Sequence, residues 1–285
     1  SNGFERPFHL SQIGTWILLP TLLIQFLLFA TPVLPLAAAI PCTICVFICG
    51  ITAAFFTYKC CSIDPIDDLC KRQLAKKNGE TEGDIASVGE GGDGEEKAED
   101  EGTVHCWICC TDVRESSVHC QFCGKCTAGF DHHCLYLNTC VGKANYQYFF
   151  WALVSTLSMV IARGGVLSGL VITFFVQYAQ GADGGGSRST NLDQSNSWLG
   201  ADTDFGEIDF GLFVAIVNTV FISIDITCTI LLSQLFFFHV RLRKLGTTTY
   251  KYLSNNPTRQ LPRGSSVSVL NEQEMQQVVN GANDT

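Results

Sequence analysis

The stretch from Cys106 to Asn145 constrains this chain more than any other. It reads Cys-x2-Cys, nine residues, His-Cys-x2-Cys-x2-Cys, four residues, Asp-His-His-Cys, five residues, Cys-Val-Gly-x2-Asn. Thiolates and imidazoles at that density are the donors that tetrahedral Zn²⁺ sites require. Cys106, Cys109, His119, Cys120, Cys123, Cys126, His133 and Cys140 make eight, enough for two closed four-coordinate sites. The donors are interleaved, so spacing alone does not say which four share an ion. His132 and Cys134 are left over, beside Asp131. A closed structural site has no use for an extra Asp-His-x-Cys. Nucleophilic thiol chemistry does, because a thiol reacts as its thiolate and an imidazole oriented by a carboxylate can take its proton. The bland alternative makes Cys134 a spare ligand and Asp131 a loop cap, and the ligand count argues against it. Cys110 and His105 flank ligands and read as bystanders, though either could swap in as a donor.

The surroundings of this stretch are apolar. Of 285 residues 47% are hydrophobic and only 16% are charged, which points to membrane segments rather than a large soluble core. Residues 13–30 form an uncharged run of bilayer length, with a kink expected at Pro20. A tight turn at Thr31–Pro35 leads into a second run, so that 13–58 reads as a transmembrane hairpin. Cys42, Cys45 and Cys49 are expected to pack in that second span. Cys60 and Cys61, at its end, read equally well as interfacial residues or as acylated thiols. A third span is expected over 148–178, opened by the aromatic cluster Tyr146–Trp151 of the kind found at membrane interfaces, and a fourth over 210–238. Arg163 and Asp225 fall near the middles of the third and fourth spans. An unpaired charge there is costly, so the two are expected to pair across the helices, with Asn218 and Gln234 joining if rotated inward.

The remaining segments are polar. Residues 71–102 are Gly- and acid-rich without an apolar period and read as a disordered loop. Most of the net charge of −9 lies there, and an acidic chain of this kind is not a nucleic-acid binder. Residues 104–147 form the cysteine-rich domain, 179–209 a loop on the opposite face of the membrane, and 239–285 a tail with a possible short helix over 266–279. Arg6, the lysines around the cysteine-rich domain and the tail lie on one side, and Arg188 alone on the other. The charge rule therefore places both termini and the cysteine-rich domain in the cytoplasm, where Asn283-Asp284-Thr285 escapes glycosylation. A reducing compartment also suits the 15 cysteines. No cleavable signal peptide is evident, and the chain opens on Ser1, which leaves the natural start open.

Asp131-His132-His133-Cys134, the cysteine spacing around it and Cys140-Val141-Gly142-Lys143-Ala144-Asn145 resemble the DHHC zinc-finger protein S-acyltransferases, or palmitoyltransferases. The resemblance implies an α-helical polytopic membrane protein: four transmembrane helices with a cytosolic, zinc-bound cysteine-rich domain between helices 2 and 3. It implies Cys134 as nucleophile, His132 as its base and Asp131 as the group orienting His132. It further implies two structural Zn²⁺ ions, one held by Cys106, Cys109, His119 and Cys126, the other by Cys120, Cys123, His133 and Cys140. A fatty acyl-CoA such as palmitoyl-CoA would be the co-substrate, and cysteines of membrane-associated proteins the acceptors. Lys143, Arg241, Arg243 and Lys244 are candidates to meet the CoA phosphates, although the last three read more simply as solvated positive-inside anchors. Asn145, Thr248 and Thr249 are supporting residues, the two threonines matching the family's Thr-Thr-x-Glu.

Several positions depart from the family pattern. Ile66 follows Asp64-Pro65 where Gly is common, and Leu135-Tyr136 replaces Pro-Trp after the nucleophile. Val113–Ser116 stands for Lys-Pro-x-Arg, and Lys251 for the Glu. The nucleophile, base and ligands are retained. These departures motivate a rival reading, a membrane-anchored zinc scaffold that binds partner proteins without catalysis, which the intact Asp131-His132-Cys134 set opposes. The intramembrane charges suggest a third, a transporter or metal sensor.

Overall fold

The computed structural model describes residues 2–77, 102–183 and 210–255. Four of its helices are long and apolar enough to cross a membrane: Leu10–Val33, Leu36–Ser62, Tyr146–Ala179 and Phe210–Lys244. The chain is thus an integral multi-pass membrane protein by helix length and composition. Residues 78–101, 184–209 and 256–285 lie outside the described residues. With them lie most of the expected acidic loop, the loop before the fourth span, the helix over 266–279 and the sequon at Asn283.

Helix α1 (Leu10–Gln25) continues through Pro20, then loosens into a π turn (Phe26–Ala30) and a 3₁₀ turn (Thr31–Val33). Pro35 caps α2 (Leu36–Ser62). Helix α4 (Tyr146–Asp183) lies centrally, packed against α2 on one side and α5 (Phe210–Lys244) on the other. Their shared core is Leu22, Phe26, Ala30, Val46, Met159, Val160 and Leu167. Both α4 and α5 outrun the spans expected from hydropathy. Helix α4 starts at 146 rather than 148, and α5 continues past 238 to Lys244. Backbone hydrogen bonding does not stop where polarity changes, and His239 and Leu242 in that extension are buried.

The two intramembrane charges meet. Arg163 donates to Asp225 Oδ1 from Nε at 3.2 Å and from Nη2 at 2.7 Å. Its Nη1 reaches the Leu22 carbonyl at 3.2 Å and the Gln25 side-chain oxygen. Gln25 in turn donates to Asn218 at 2.8 Å, and Asn218 to the Phe29 carbonyl at 3.3 Å. Arg163 is 0% exposed and Asp225 2%, so the pair would be ruinous if unpartnered. Asn218 joins the network through Gln25, while Gln234 faces outward.

A correction concerns the segment after α2. Residues 71–77, expected at the start of the acidic loop, belong to helix α3 (Asp68–Lys77). The buried Asp67 caps it, Oδ1 accepting from the backbone N–H of Leu69 at 2.8 Å and of Cys70 at 3.2 Å. Oδ2 accepts from Ser117 Oγ at 2.6 Å and Arg114 N at 3.2 Å. Its buried Cys70 packs against Val113 and Cys126 beneath it. Acid and glycine content over a long window concealed this short amphipathic piece.

Between α3 and α4 the described residues fold into three two-stranded antiparallel hairpins. They are β1–β2 (Thr103–Cys106, Thr111–Arg114), β3–β4 (Val118–Cys120, Lys125–Thr127) and β5–β6 (His132–Cys134, Thr139–Val141). Each turn holds one residue at positive φ: Cys110 (50°), Gly124 (62°) and Asn138 (52°). Short strands with tight turns leave little apolar core, so the domain needs another source of cohesion.

Candidate active site

The hairpin registers set the donors. His119 stands opposite Cys126 across β3–β4, and His133 opposite Cys140 across β5–β6. The Cys106–Cys109 turn meets the first pair and the Cys120–Cys123 turn the second. Two four-donor groups result, Cys106, Cys109, His119, Cys126 and Cys120, Cys123, His133, Cys140, the donor atoms in each within 4.8 Å of one another. In the first, Cys109, Cys126 and Cys106 Sγ lie 3.2, 3.8 and 3.9 Å from His119 Nδ1. In the second, Cys123, Cys120 and Cys140 Sγ lie 3.3, 3.7 and 3.7 Å from His133 Nδ1. A tetrahedron with metal–sulfur bonds near 2.3 Å and metal–nitrogen bonds near 2.1 Å has edges of about 3.5–3.8 Å. Donor chemistry and spacing in both groups fit a metal ion.

Between the second group and the membrane helices sits Asp131-His132-x-Cys134. Asp131 is 2% exposed. Its Oδ2 accepts from His132 Nδ1 at 2.7 Å and from Thr249 Oγ1 at 2.7 Å, and its Oδ1 from Thr249 N at 2.8 Å. Burial would raise this carboxyl, but the bonds from His132 and Thr249 outweigh it and hold it below the usual carboxylate range. Burial would lower His132, yet the bond to Asp131 and the facing Cys134 thiol push it up to about 9. With Nδ1 committed to Asp131, the other ring nitrogen is the one free for a thiol. Cys134 itself is buried with Cys60, Cys61, Leu137, Val141 and Phe149.

A model of the DHHC palmitoyltransferase family matches residues 99–256, more than half of the chain. The chain belongs to that family. A search of curated proteins found no match.

Within this DHHC chain the supporting residues take distinct places. Asn145 is fully buried. It accepts from Gly142 N at 2.9 Å and donates to the carbonyls of Cys140 at 3.0 Å and Cys60 at 3.2 Å, tying α2 to the last hairpin. Thr248 caps the short helix α6 (Thr249–Ser254), accepting from Lys251 N at 3.3 Å, so that Thr249 is presented to Asp131. Lys251 is exposed on that helix, as are Leu135 and Tyr136 beyond Cys134. Lys143, Arg241, Arg243 and Lys244 are also exposed. Arg243 lies over the Phe150 ring at 4.4 Å and Arg241 over Tyr252 at 5.8 Å. Cys60 and Cys61 are 0% and 1% exposed, so of their two readings burial favours packing over acylation.

Sequence reasoning missed three participants. Gln12, fully buried, donates to the Gly3 carbonyl at 2.7 Å and the Leu137 carbonyl at 3.4 Å, bracing the loop after Cys134. In sequence Tyr146 carries only the signal of an interface aromatic. His239 had no signal beyond being a lone histidine at a span's end. The structure brings it to Asp131 and His132, the three donor atoms lying within 4.8 Å of one another.

Proposed function

We propose that the chain is a protein S-palmitoyltransferase. Cys134 passes its proton to His132 and attacks the thioester carbonyl of a fatty acyl-CoA. The carbonyl carbon–CoA sulfur bond breaks, and CoA leaves as its thiol with the proton returned by His132. In the second half the acceptor protein's cysteine gives its proton to His132 and attacks the acyl-Cys134 carbonyl. Cys134 is released and reprotonated. Each step exchanges one thioester for another, so neither is steeply uphill. Asp131, fixed by Thr249, holds the tautomer and orientation of His132 through both halves.

The observation that carries this reading is the Asp131–His132 bond of 2.7 Å beside the Cys134 thiol, anchored by Thr249 from a helix that follows the last span. The eight Cys and His donors would hold two Zn²⁺ ions, which cross-link the hairpins and supply folding energy. Orientation by charge would put this domain in the cytoplasm, where acyl-CoA and acceptor proteins meet the membrane. The bundle then shelters the acyl chain, at about 0.8 kcal/mol for each CH₂ kept from water. Arg241, Arg243, Lys244 and Lys143 are assigned to the CoA phosphates. The scaffold reading rests on Leu135, Tyr136 and Lys251, none of which contacts the Asp131–His132 pair in the bonds described above. Purified protein incubated with labelled palmitoyl-CoA is expected to form a hydroxylamine-sensitive adduct on Cys134. Intact protein with zinc bound and no adduct would leave the scaffold.

A further inference from the structure

One buried polar side chain beside His132 has no part in the scheme above. His239, near the C-terminal end of α5, is 1% exposed. Its Nδ1 lies 3.1 Å from the Tyr146 hydroxyl, on the first turn of α4. Its ring meets Phe149 edge-on at 4.9 Å, and Phe149 meets His132 edge-on at 5.2 Å. The His132 and His239 rings are 5.9 Å apart. The wall behind the His132 imidazole is therefore built by α4 and α5 together, pinned by a single hydroxyl–imidazole bond.

Two other roles fit less well. Asp131, His132 and His239 offer three donors close together, as a metal site would. But oxygen and nitrogen donors on one tetrahedral ion stand about 3.3 Å apart. The 2.7 Å between His132 Nδ1 and Asp131 Oδ2 is a hydrogen bond, and Thr249 occupies both Asp131 oxygens. Nor is His239 a second base, since a side chain this buried reaches no substrate proton.

We infer that His239 is a positioning residue: with Tyr146 it holds the His132 imidazole against Phe149, so that the nitrogen not bonded to Asp131 faces Cys134. The end of α5, the turn at Gly246 and α6 then act as one clamp. His239 grips the imidazole, and Thr249 together with the Tyr250 N–H, 3.1 Å from the Asp131 carbonyl, grips the carboxylate residue. This rests on Cys134 being the nucleophile of the proposed function.

The test compares His239→Phe, His239→Asn and Tyr146→Phe with the parent chain, each purified in detergent. Three quantities are read: self-acylation from labelled palmitoyl-CoA, bound zinc, and the rate at which iodoacetamide alkylates Cys134, followed on its own peptide by mass spectrometry. His239→Phe keeps a ring and loses the polar contact. Both rates are expected to fall about tenfold with zinc retained, a fraction of what a positioned base supplies. His239→Asn, whose amide stands where Nδ1 does, should recover to within about threefold of the parent. Tyr146→Phe removes one hydrogen bond and should slow both rates about fivefold. Parent-like rates in His239→Phe, or an Asn variant no better than Phe, would mean that the ring only fills space, and the inference falls. If His239→Phe loses zinc, Tyr146→Phe decides alone, and an unchanged Cys134 rate overturns the clamp. A parent that forms no adduct defeats acyl transfer instead, because the alkylation contrast needs no acyl-CoA.

Discussion

Two clusters of buried polar groups lie on α4 and α5, and they are built to different ends. At the middle of the bundle Arg163, Asp225, Gln25 and Asn218 bond only to one another and to helix carbonyls. At the end facing the hairpins Asp131 bonds to His132 and Thr249, and a Tyr146–His239 bond lies against the same imidazole. In the first, the arginine's bonds all run to neighbouring helices. In the second, the donors are arranged so that one nitrogen of His132 is left over, and it lies beside Cys134. The difference teaches that burial and hydrogen bonding alone do not mark an active site. An uncommitted atom alone does not mark it either, since Asp225 Oδ2 at the midplane also has no hydrogen-bond partner; what marks the second cluster is that its free atom is a basic nitrogen beside a thiol.

The sharpest way to break this contrast is at Cys134. Cys134→Ser is expected to abolish the hydroxylamine-sensitive adduct while both metal ions and the melting temperature stay unchanged. Cys123→Ser, by contrast, should lose metal and fold together. Metal analysis showing one ion fewer in Cys134→Ser would mean that the donors are grouped wrongly. Next in size is Asp131→Asn, which keeps the shape of the network and exchanges the charge. Self-acylation should drop about a hundredfold, the low end for a general base deprived of its partner, with little change in melting. A drop in stability matching the drop in rate would make Asp131 structural, like Asp225.

The midplane cluster should respond the other way round. Arg163→Ala and Asp225→Ala should each cost about 3 kcal/mol of stability in detergent, since each leaves a buried charge alone. The double variant should lose less than the sum, and the folded fraction of each should acylate normally. Strict additivity of the two losses would show that the side chains do not depend on each other. The smallest effect is expected from restoring Leu135→Pro, Tyr136→Trp and Lys251→Glu together. All three positions are exposed, and a gain in acylation of about threefold would fit surface contributions of a few tenths of a kcal/mol each. A gain of a hundredfold would place these positions inside the uncommitted half of the comparison.

Much of this architecture is legible in one dimension. Apolar runs of bilayer length announce the four helices, because a span's backbone must satisfy itself and its side chains must match the lipid. Cysteine and histidine spacing announces two metal-sized donor sets and a surplus Asp-His-x-Cys, because coordination number is a counting rule. Even the Arg163–Asp225 pair follows from antiparallel spans and the cost of a lone charge. Helix α3 was hidden because a window running from Lys71 to Gly102 averages its basic residues with the acid- and glycine-rich stretch behind them, and its stability comes from Asp67 and a contact with Val113.

The tertiary structure alone decides how these parts address one another. Thr249 lies 118 positions from Asp131, and His239 lies 93 from Tyr146, yet both contacts are direct. No local pattern encodes them, because they depend on the rotational phase of α4 and α5 about their axes and on the turn that carries α6 back. A change of one residue in that phase swings a side chain by about 100°. That phase is set collectively, by Met159, Val160 and Leu167 seated against α1 and α2 and by the Arg163 network at the same depth. The sequence determined which groups the chain possesses; the packing of the bundle decided that one nitrogen of His132 would be left facing a thiol.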